Sequence, residues 1–103
     1  EHDKVIAFTS QLPHIISNAY VKSHTAVKQK GFSAGSYRDL TRVSKLNEKM
    51  WTELFFENKE NLVNEIDFLV DRLSEYSAAL KSNDRESLIA LLKEGTDSKK
   101  QAK

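Results

Sequence analysis

Residues 58–81 read NKENLVNEIDFLVDRLSEYSAALK, and this stretch decides the fold class. Leu62, Val63, Ile66, Leu69, Val70, Leu73, Tyr76, Ser77 and Leu80 recur at steps of three and four. That is the period of one helix face, not the two-residue alternation of a strand. The spacing predicts an amphipathic helix from about Asn58 to Lys81. Its outer face carries Asp67, Asp71 and Glu75 at i, i+4 spacing, a like-charged ridge that mildly disfavours the isolated helix.

Downstream, Asn83 and Glu86 form a capping-box pattern ahead of a last helix striped by Leu88, Ile89, Leu91 and Leu92. Gly95 is expected to stop it, which makes residues 1–95 the helical domain and 96–103 a disordered polar tail or linker. Upstream, Asn47 is expected to cap a helix from Glu48 to about Phe56 with Met50, Trp51, Leu54 and Phe55 as its stripe. A short helix from about Tyr37 to Lys45, with Leu40 and Val43 facing inward, precedes it. The loop-rich patch Phe32-Ser33-Ala34-Gly35-Ser36 comes before that.

The chain opens on a second long pattern. Val5, Phe8, Leu12, Ile15, Ile16, Ala19 and Val27 predict one helix from Asp3, as N-cap, to about Lys28, closed by Gly31. Pro13 lies inside it, has no N–H to give the carbonyl of Thr9, and crowds that group with its ring. A kink over residues 9–13 follows, and it re-aims His14. The fold expected is all-α, about five helices with two long amphipathic ones. Those two long helices carry more apolar surface than one small core absorbs, so an intertwined homodimer is the natural outlet.

Composition excludes several classes. The 103 residues hold 16 Lys and Arg against 15 Asp and Glu, which rules out the charge footprint of a nucleic-acid binder. With no cysteine there is neither a disulfide nor a thiolate metal site. Its three scattered histidines do not make a metal constellation, and no apolar run approaches the ~20 residues of a membrane span. A mean hydropathy of -0.57 fits a soluble protein, and the absence of cysteine leaves the redox compartment open. Glu1-His2-Asp3-Lys4 lacks an initiator Met and a signal architecture, so the chain reads as an internal piece of something longer.

Three segments carry a family resemblance. Ser10-Gln11-Leu12-Pro13-His14, after the His2-Asp3 pair, resembles the Ser-x-Leu-Pro-His motif of prephenate dehydrogenases, which often have a second His where this chain has Gln11. Gly35-Ser36-Tyr37-Arg38-Asp39-Leu40-Thr41-Arg42-Val43 is similar to that family's Gly-Gly-aromatic-x-Asp-x-Thr-Arg-Ile signature, with the glycine pair thinned. Trp51 falls where the family has its tryptophan, and Leu54-Phe55-Phe56-Glu57-Asn58-Lys59 resembles its Phe-x-x-Asn-Lys/Arg-Glu helix end. The resemblance runs from His2 to about Leu80.

What it implies is the C-terminal domain of an NAD- or NADP-dependent prephenate dehydrogenase of tyrosine biosynthesis. That enzyme decarboxylates prephenate oxidatively to 4-hydroxyphenylpyruvate. Such a domain supplies the dimer interface and part of a pocket for prephenate or a tyrosine-like ligand. An arogenate-preferring relative, or a helical interaction module without substrate contact, are the alternatives. No glycine-rich strand-turn-helix is present to hold a dinucleotide, so the isolated chain is expected to bind no cofactor and to be inactive.

For Arg42 the residues alone leave two readings, a surface arginine paired with Asp39 or a guanidinium fork for a carboxylate. The resemblance implies the second. His14 alone reads as a partly buried, satisfied helix residue; the resemblance implies a hydrogen bond at the ring end of the ligand. Gly35 is either turn chemistry or a close backbone approach to the ligand, and the resemblance implies the approach. Trp51 is either core or pocket wall, and the family places it near the pocket. Asp39 and Thr41 are expected to hold the Arg42 segment in place, with the catalytic base outside this chain. His2 and His24 receive no assignment.

Overall fold

A computed structural model describes residues 1–26 and 35–102, and among these the chain is helical with no strand. The first helix, α1, comprises His2–Ile6, a π-helical turn Ala7–Gln11, and Leu12–Tyr20. It is followed by α2 (Gly35–Thr41), α3 (Glu48–Glu57), α4 (Lys59–Lys81) and α5 (Arg85–Ala102). By contact the chain divides into two units, residues 1–66 and the residues from Asp67 onward.

The first unit is organised around α1. Its irregularity takes the form of a wide turn, in which the Leu12 amide donates to the Ala7 carbonyl five residues back. The turn sits directly ahead of Pro13, where a proline interrupts the regular ladder and the backbone must re-register. Side chains occupy carbonyls on this stretch: the Thr9 hydroxyl donates to Val5 O at 2.8 Å, and the His14 ring takes Ser10 O. Asp3 is not the cap. Glu1 holds that position with no side-chain hydrogen bond, and Asp3 lies within the first turn, where a carboxylate suits the helix dipole.

The first helix also ends earlier than its apolar spacing suggests. Lys22 and Ser23 donate to Ala19 O and Tyr20 O, tightening the end into three-residue turns. The Ser23 hydroxyl then accepts from the Thr25 amide at 3.2 Å, a local bond that competes with the helix ladder. Between Ala19 and Val27 the residues Lys22, Ser23, His24 and Thr25 are polar and exposed, so this stretch offers the helix little apolar surface to bury. Val27, Lys28 and Gly31 lie outside the described residues, as do Phe32, Ser33 and Ala34.

α2 begins two residues before its expected start and stops at Thr41, so Arg42 follows the helix rather than riding on it. Leu40, expected to face inward, is 43% exposed. α3 is capped as expected, with the Asn47 carboxamide oxygen accepting from the Met50 amide at 3.0 Å. Trp51 and Phe55 are half-buried, whereas Met50 and Leu54 are exposed. Among the described residues of this unit Ala7, Leu12 and Leu62 are the buried apolar side chains.

In the second unit the later part of α4 and α5 form a helical hairpin. Asn83 does not cap α5. It ends α4 in the left-handed conformation, φ 56°, with Asp84 N donating to Ala79 O and Asn83 N to Leu80 O, a Schellman arrangement with asparagine in the usual glycine place. Asp84 is the cap: its carboxylate accepts from the Ser87 amide at 3.0 Å and from the Ser87 hydroxyl at 2.7 Å. α5 also runs through Gly95 to Ala102 instead of stopping. Lys93 and Asp97 bridge that glycine at 2.9 Å, and Gly95 faces α4, where a methyl group would sit 3.9 Å from the Tyr76 hydroxyl.

Because Gly95 is helical and the space beside it is ordinary contact distance, Gly95→Ala should stabilise the chain by about 0.5–1 kcal/mol in denaturant unfolding. A destabilised variant would place the helix end at Gly95 after all. The cap has its own test. The Ser87 hydroxyl, and then its amide, hold the Asp84 carboxyl below the usual aspartate range. The cap's contribution is therefore fully present above the unfolded pKa of about 3.9 and disappears as pH falls through the lower folded value. Asp84→Ala should lower the melting temperature by a few degrees at neutral pH, and the difference should close in strong acid.

Candidate functional site

The site is built on the π turn. Gln11, 5% exposed, faces away from solvent into the junction of α3 and α4. Its Nε2 donates to Leu54 O at 3.3 Å, and its Oε1 accepts from Asn58 Nδ2 at 2.8 Å. The same Asn58 amide donates to Asp3 O at 2.9 Å, and Asn58 Oδ1 accepts from Asn61 Nδ2 at 2.9 Å. Buried amides left unpaired would cost about 1–3 kcal/mol each, so this set fixes α1 against the α3–α4 junction in one register. Gln11, the second residue of the Ser10–His14 stretch, is thus a structural amide.

On another face of the same turn, an open cleft of about 640 Å³ lies between α1 and the segment running from α2 into residues 42–43. Phe8, Leu12 and Ile16, one helical face of α1, give it an apolar wall, and Leu40 and Val43 the opposite one. His14, Asp39 and Arg42 are its ionisable groups. Arg42 is exposed and, among the described residues, forms no ion pair, so the Asp39 pairing open to a surface arginine is not made. The Thr41 hydroxyl donates to Tyr37 O at 2.8 Å, tying off the last turn of α2 directly before Arg42. The Asn18 amide donates to Ser44 O at 3.0 Å, fastening the chain just after it to α1.

His14 stands between two hollows. It lines the large cleft and also a smaller one of about 280 Å³, shared with Lys22, Glu48 and Trp51. Trp51 does not line the large cleft. Its ring stacks on His14, centroids 4.2 Å apart and planes 27° apart, and the Phe55 ring lies tilted beside it with centroids 5.5 Å apart. Gly35 opens α2, lines neither hollow, and has nothing within 4 Å of where a side chain would begin. Among the described residues no three His, Asp or Glu side chains are grouped to hold a metal ion. No described helix is long and apolar enough to cross a membrane.

Of the residues singled out from sequence, His14, Asp39 and Arg42 therefore meet at one cleft, Trp51 meets His14 from behind, and Thr41 and Gly35 stay on α2. Sequence reasoning missed Ser10, Asn58 and the apolar walls. Phe8, Leu12 and Ile16 were visible as a stripe, but a stripe does not say whether it faces a core or a cleft. Asn58 sits 47 residues from Gln11, and no local pattern marks such a pair.

The chain is 34% identical to a cyclohexadienyl dehydrogenase of Zymomonas mobilis, the match covering 90% of this chain and 34% of that protein. It is 32% identical to a prephenate dehydrogenase of Lactococcus lactis over 92% of this chain and 28% of the relative, and 28% identical to a prephenate dehydrogenase of Bacillus subtilis over 94% and 28%. The chain thus spans about a third of the length of these relatives. In fold it superposes on a crystal structure of Synechocystis arogenate dehydrogenase with a TM-score of 0.85 at 18% identity, over 99% of this chain and 39% of the other. Residues 1–94 match the family described as prephenate dehydrogenase, dimerization domain, and the chain belongs to that family.

Proposed function

We propose that this chain is the C-terminal part of a cytoplasmic dehydrogenase that converts prephenate to 4-hydroxyphenylpyruvate with NAD or NADP in tyrosine biosynthesis, and that it supplies one wall of the substrate pocket and the dimer interface. The observation that carries the first role is the meeting of His14 and unpaired Arg42 on one apolar-walled cleft. A guanidinium with its fork free can take a carboxylate through two parallel hydrogen bonds. The apolar walls suit the cyclohexadiene ring, and His14 offers a polar contact for its hydroxyl. A tyrosine-like product shares both features and would occupy the same cleft. The residues described here form no dinucleotide site, so the cofactor and the group that takes the hydroxyl proton belong to the remaining part of the enzyme. Alone, the chain is inert.

Exposed apolar surface supports the second role. Val63, Val70, Leu73 and Leu80 belong to the stripe that predicts α4, yet each is exposed, Leu80 by 63%. Phe68 on α4, and Ile89 and Leu92 on α5, are exposed as well. An amphipathic helix that does not bury its stripe within its own chain buries it against another. A second copy is the partner, and a plain interaction module would share this feature without the cleft.

Arg42→Ala in the full-length enzyme should raise KM for prephenate on the order of 30- to 1,000-fold, about 2–4 kcal/mol, with far-UV circular dichroism unchanged. An unaltered KM would leave only the interaction module. Sedimentation equilibrium of the chain at micromolar concentration should give about twice its mass of 11.8 kDa. A clean monomer would count against self-association through these helices.

A further inference from the structure

Arg42 sits in a turn that is fastened to α1 at a single polar point. The Ser44 amide donates to Thr41 O at 3.0 Å and closes a four-residue turn with Arg42 and Val43 at its centre. The Thr41 hydroxyl donates to Tyr37 O at 2.8 Å, which makes this turn continuous with the end of α2. These bonds span three or four residues, and a segment held only by local bonds can swing as one body. The Asn18 carboxamide ties it down: its Nδ2 donates to Ser44 O at 3.0 Å, across 26 residues of sequence. Among the described residues this is the one hydrogen bond between α1 and residues 35–46. Tyr20 and Tyr37 add a tilted aromatic contact, ring centroids 6.2 Å apart. Both fastenings lie near the end of α1, beyond Ile16, whereas the cleft opens between residues 8–16 and 39–43. The two walls are thus joined at one end, and the Asn18 bond is the polar part of the joint.

We propose that Asn18 is a positioning residue for Arg42: by holding Ser44 O against α1 it fixes the turn that carries the arginine, and so sets where the guanidinium meets a carboxylate in the cleft. This rests on the cleft being the substrate pocket. Asn18 lines the smaller hollow and not the large cleft, so it acts through the turn and not on the ligand. The need for such a tether follows from where Arg42 stands. An arginine within a helix has its backbone set by the ladder, but α2 stops at Thr41 and Arg42 depends on the turn alone. A two-bond carboxylate contact requires the planar fork in one place and one orientation, and a wandering backbone adds to the freedom lost on binding. The chemistry of the tether is specific as well. Ser44 O can only accept, so the residue at position 18 must offer an N–H or O–H.

The tether is tested on the chain itself, without any ligand, by amide hydrogen exchange followed residue by residue in NMR spectra. Asn18→Leu keeps nearly the same side-chain shape and removes the donor; Asn18→Ala removes the donor and leaves space, in case leucine does not fit. Each should speed exchange of the Ser44 amide roughly tenfold, because the turn it closes is no longer held from outside. The Met50 amide, held by Asn47 at the far end of the same connection, is the internal reference and should not change. An unchanged Ser44 amide would overturn the proposal. Faster exchange throughout α1 and α3 in both variants would make the bond a determinant of the whole fold instead of the turn, and would overturn it too.

Its consequence for Arg42 is read from steady-state kinetics of the full-length enzyme with prephenate. Asn18→Leu should raise KM roughly three- to tenfold and change kcat by less than about twofold. In an Arg42→Ala background the same substitution should add nothing, since the residue it positions is gone. Additive losses would mean that Asn18 acts by another route, and would overturn the proposal. If Arg42→Ala raises KM and Asn18→Leu leaves it unmoved, Asn18 does not position the arginine, but the pocket stands. If neither substitution moves KM, the pocket reading itself fails and the positioning role falls with it.

Discussion

One buried contact, the amide pair between Gln11 and Asn58, governs the rest of this structure. A helix with a π turn and a proline in quick succession has lost regular ladder bonds and has no intrinsic reason to adopt one register. The Gln11 side chain supplies that reason, because it is nearly excluded from water and can satisfy both ends of its amide only against Leu54 O and Asn58. Asn58 in turn reaches Asp3 O, so α1 is held at its start and at its middle by one residue at the α3–α4 break. Shifting α1 by a residue would strand at least two buried polar groups. With α1 fixed, Ser10, Pro13 and His14 are placed, and so is the wall formed by Phe8, Leu12 and Ile16.

The apolar arithmetic of the chain points outward. Among the described residues only Ala7, Leu12, Leu62 and Ala79 are buried apolar side chains, two of them alanines, while a larger set of Phe, Leu, Ile and Val is exposed. Stability at about 25 cal/mol per Å² requires that such surface be removed from water somewhere. Hydrogen-bonded locks such as Gln11–Asn58 define geometry, but they do not replace this driving force, since each contributes only about a kcal/mol net. A chain with precise polar locks and a thin core is organised to complete its core on association.

How much of this was legible in the sequence depends on the range of the interaction concerned. Asn47 and the helix it caps were readable, because the cap bond spans three residues and its partners follow directly. α4 was readable from its period alone. The α4–α5 turn was misread by one residue: Asn83 and Asp84 are both good caps, and the choice turned on asparagine tolerating a left-handed φ at the end of α4. Gly95 was misread because a helix-interior glycine costs only about 1 kcal/mol, too little by itself to end a helix, and the exposed Lys93–Asp97 bridge spans it. The early end of α1 lay in the gap between Ala19 and Val27, visible but outweighed by the apolar residue beyond it. His14 and Arg42, singled out by motif, both line the cleft. That Trp51 lies behind His14, and that Gln11 is structural, depend on contacts between α1 and the α3–α4 region, which no periodicity encodes.

If the proposed function holds, the geometry accounts for a site divided between this chain and the rest of an enzyme. Arg42 is exposed, and an arginine–carboxylate pair in water is worth little, a fraction of a kcal/mol to about one. The same pair gains strength when a second wall excludes solvent, because the effective dielectric falls while the geometry is already set. His14 follows the same logic: its orientation is prepared by Ser10 and Trp51, but a neutral hydrogen bond competes poorly with water until water is gone. On the proposed reading, preorganisation resides in this chain and desolvation comes from its missing counterpart. The groups of the open cleft are therefore poised but energetically silent, and binding strength appears only when the two walls close on a ligand.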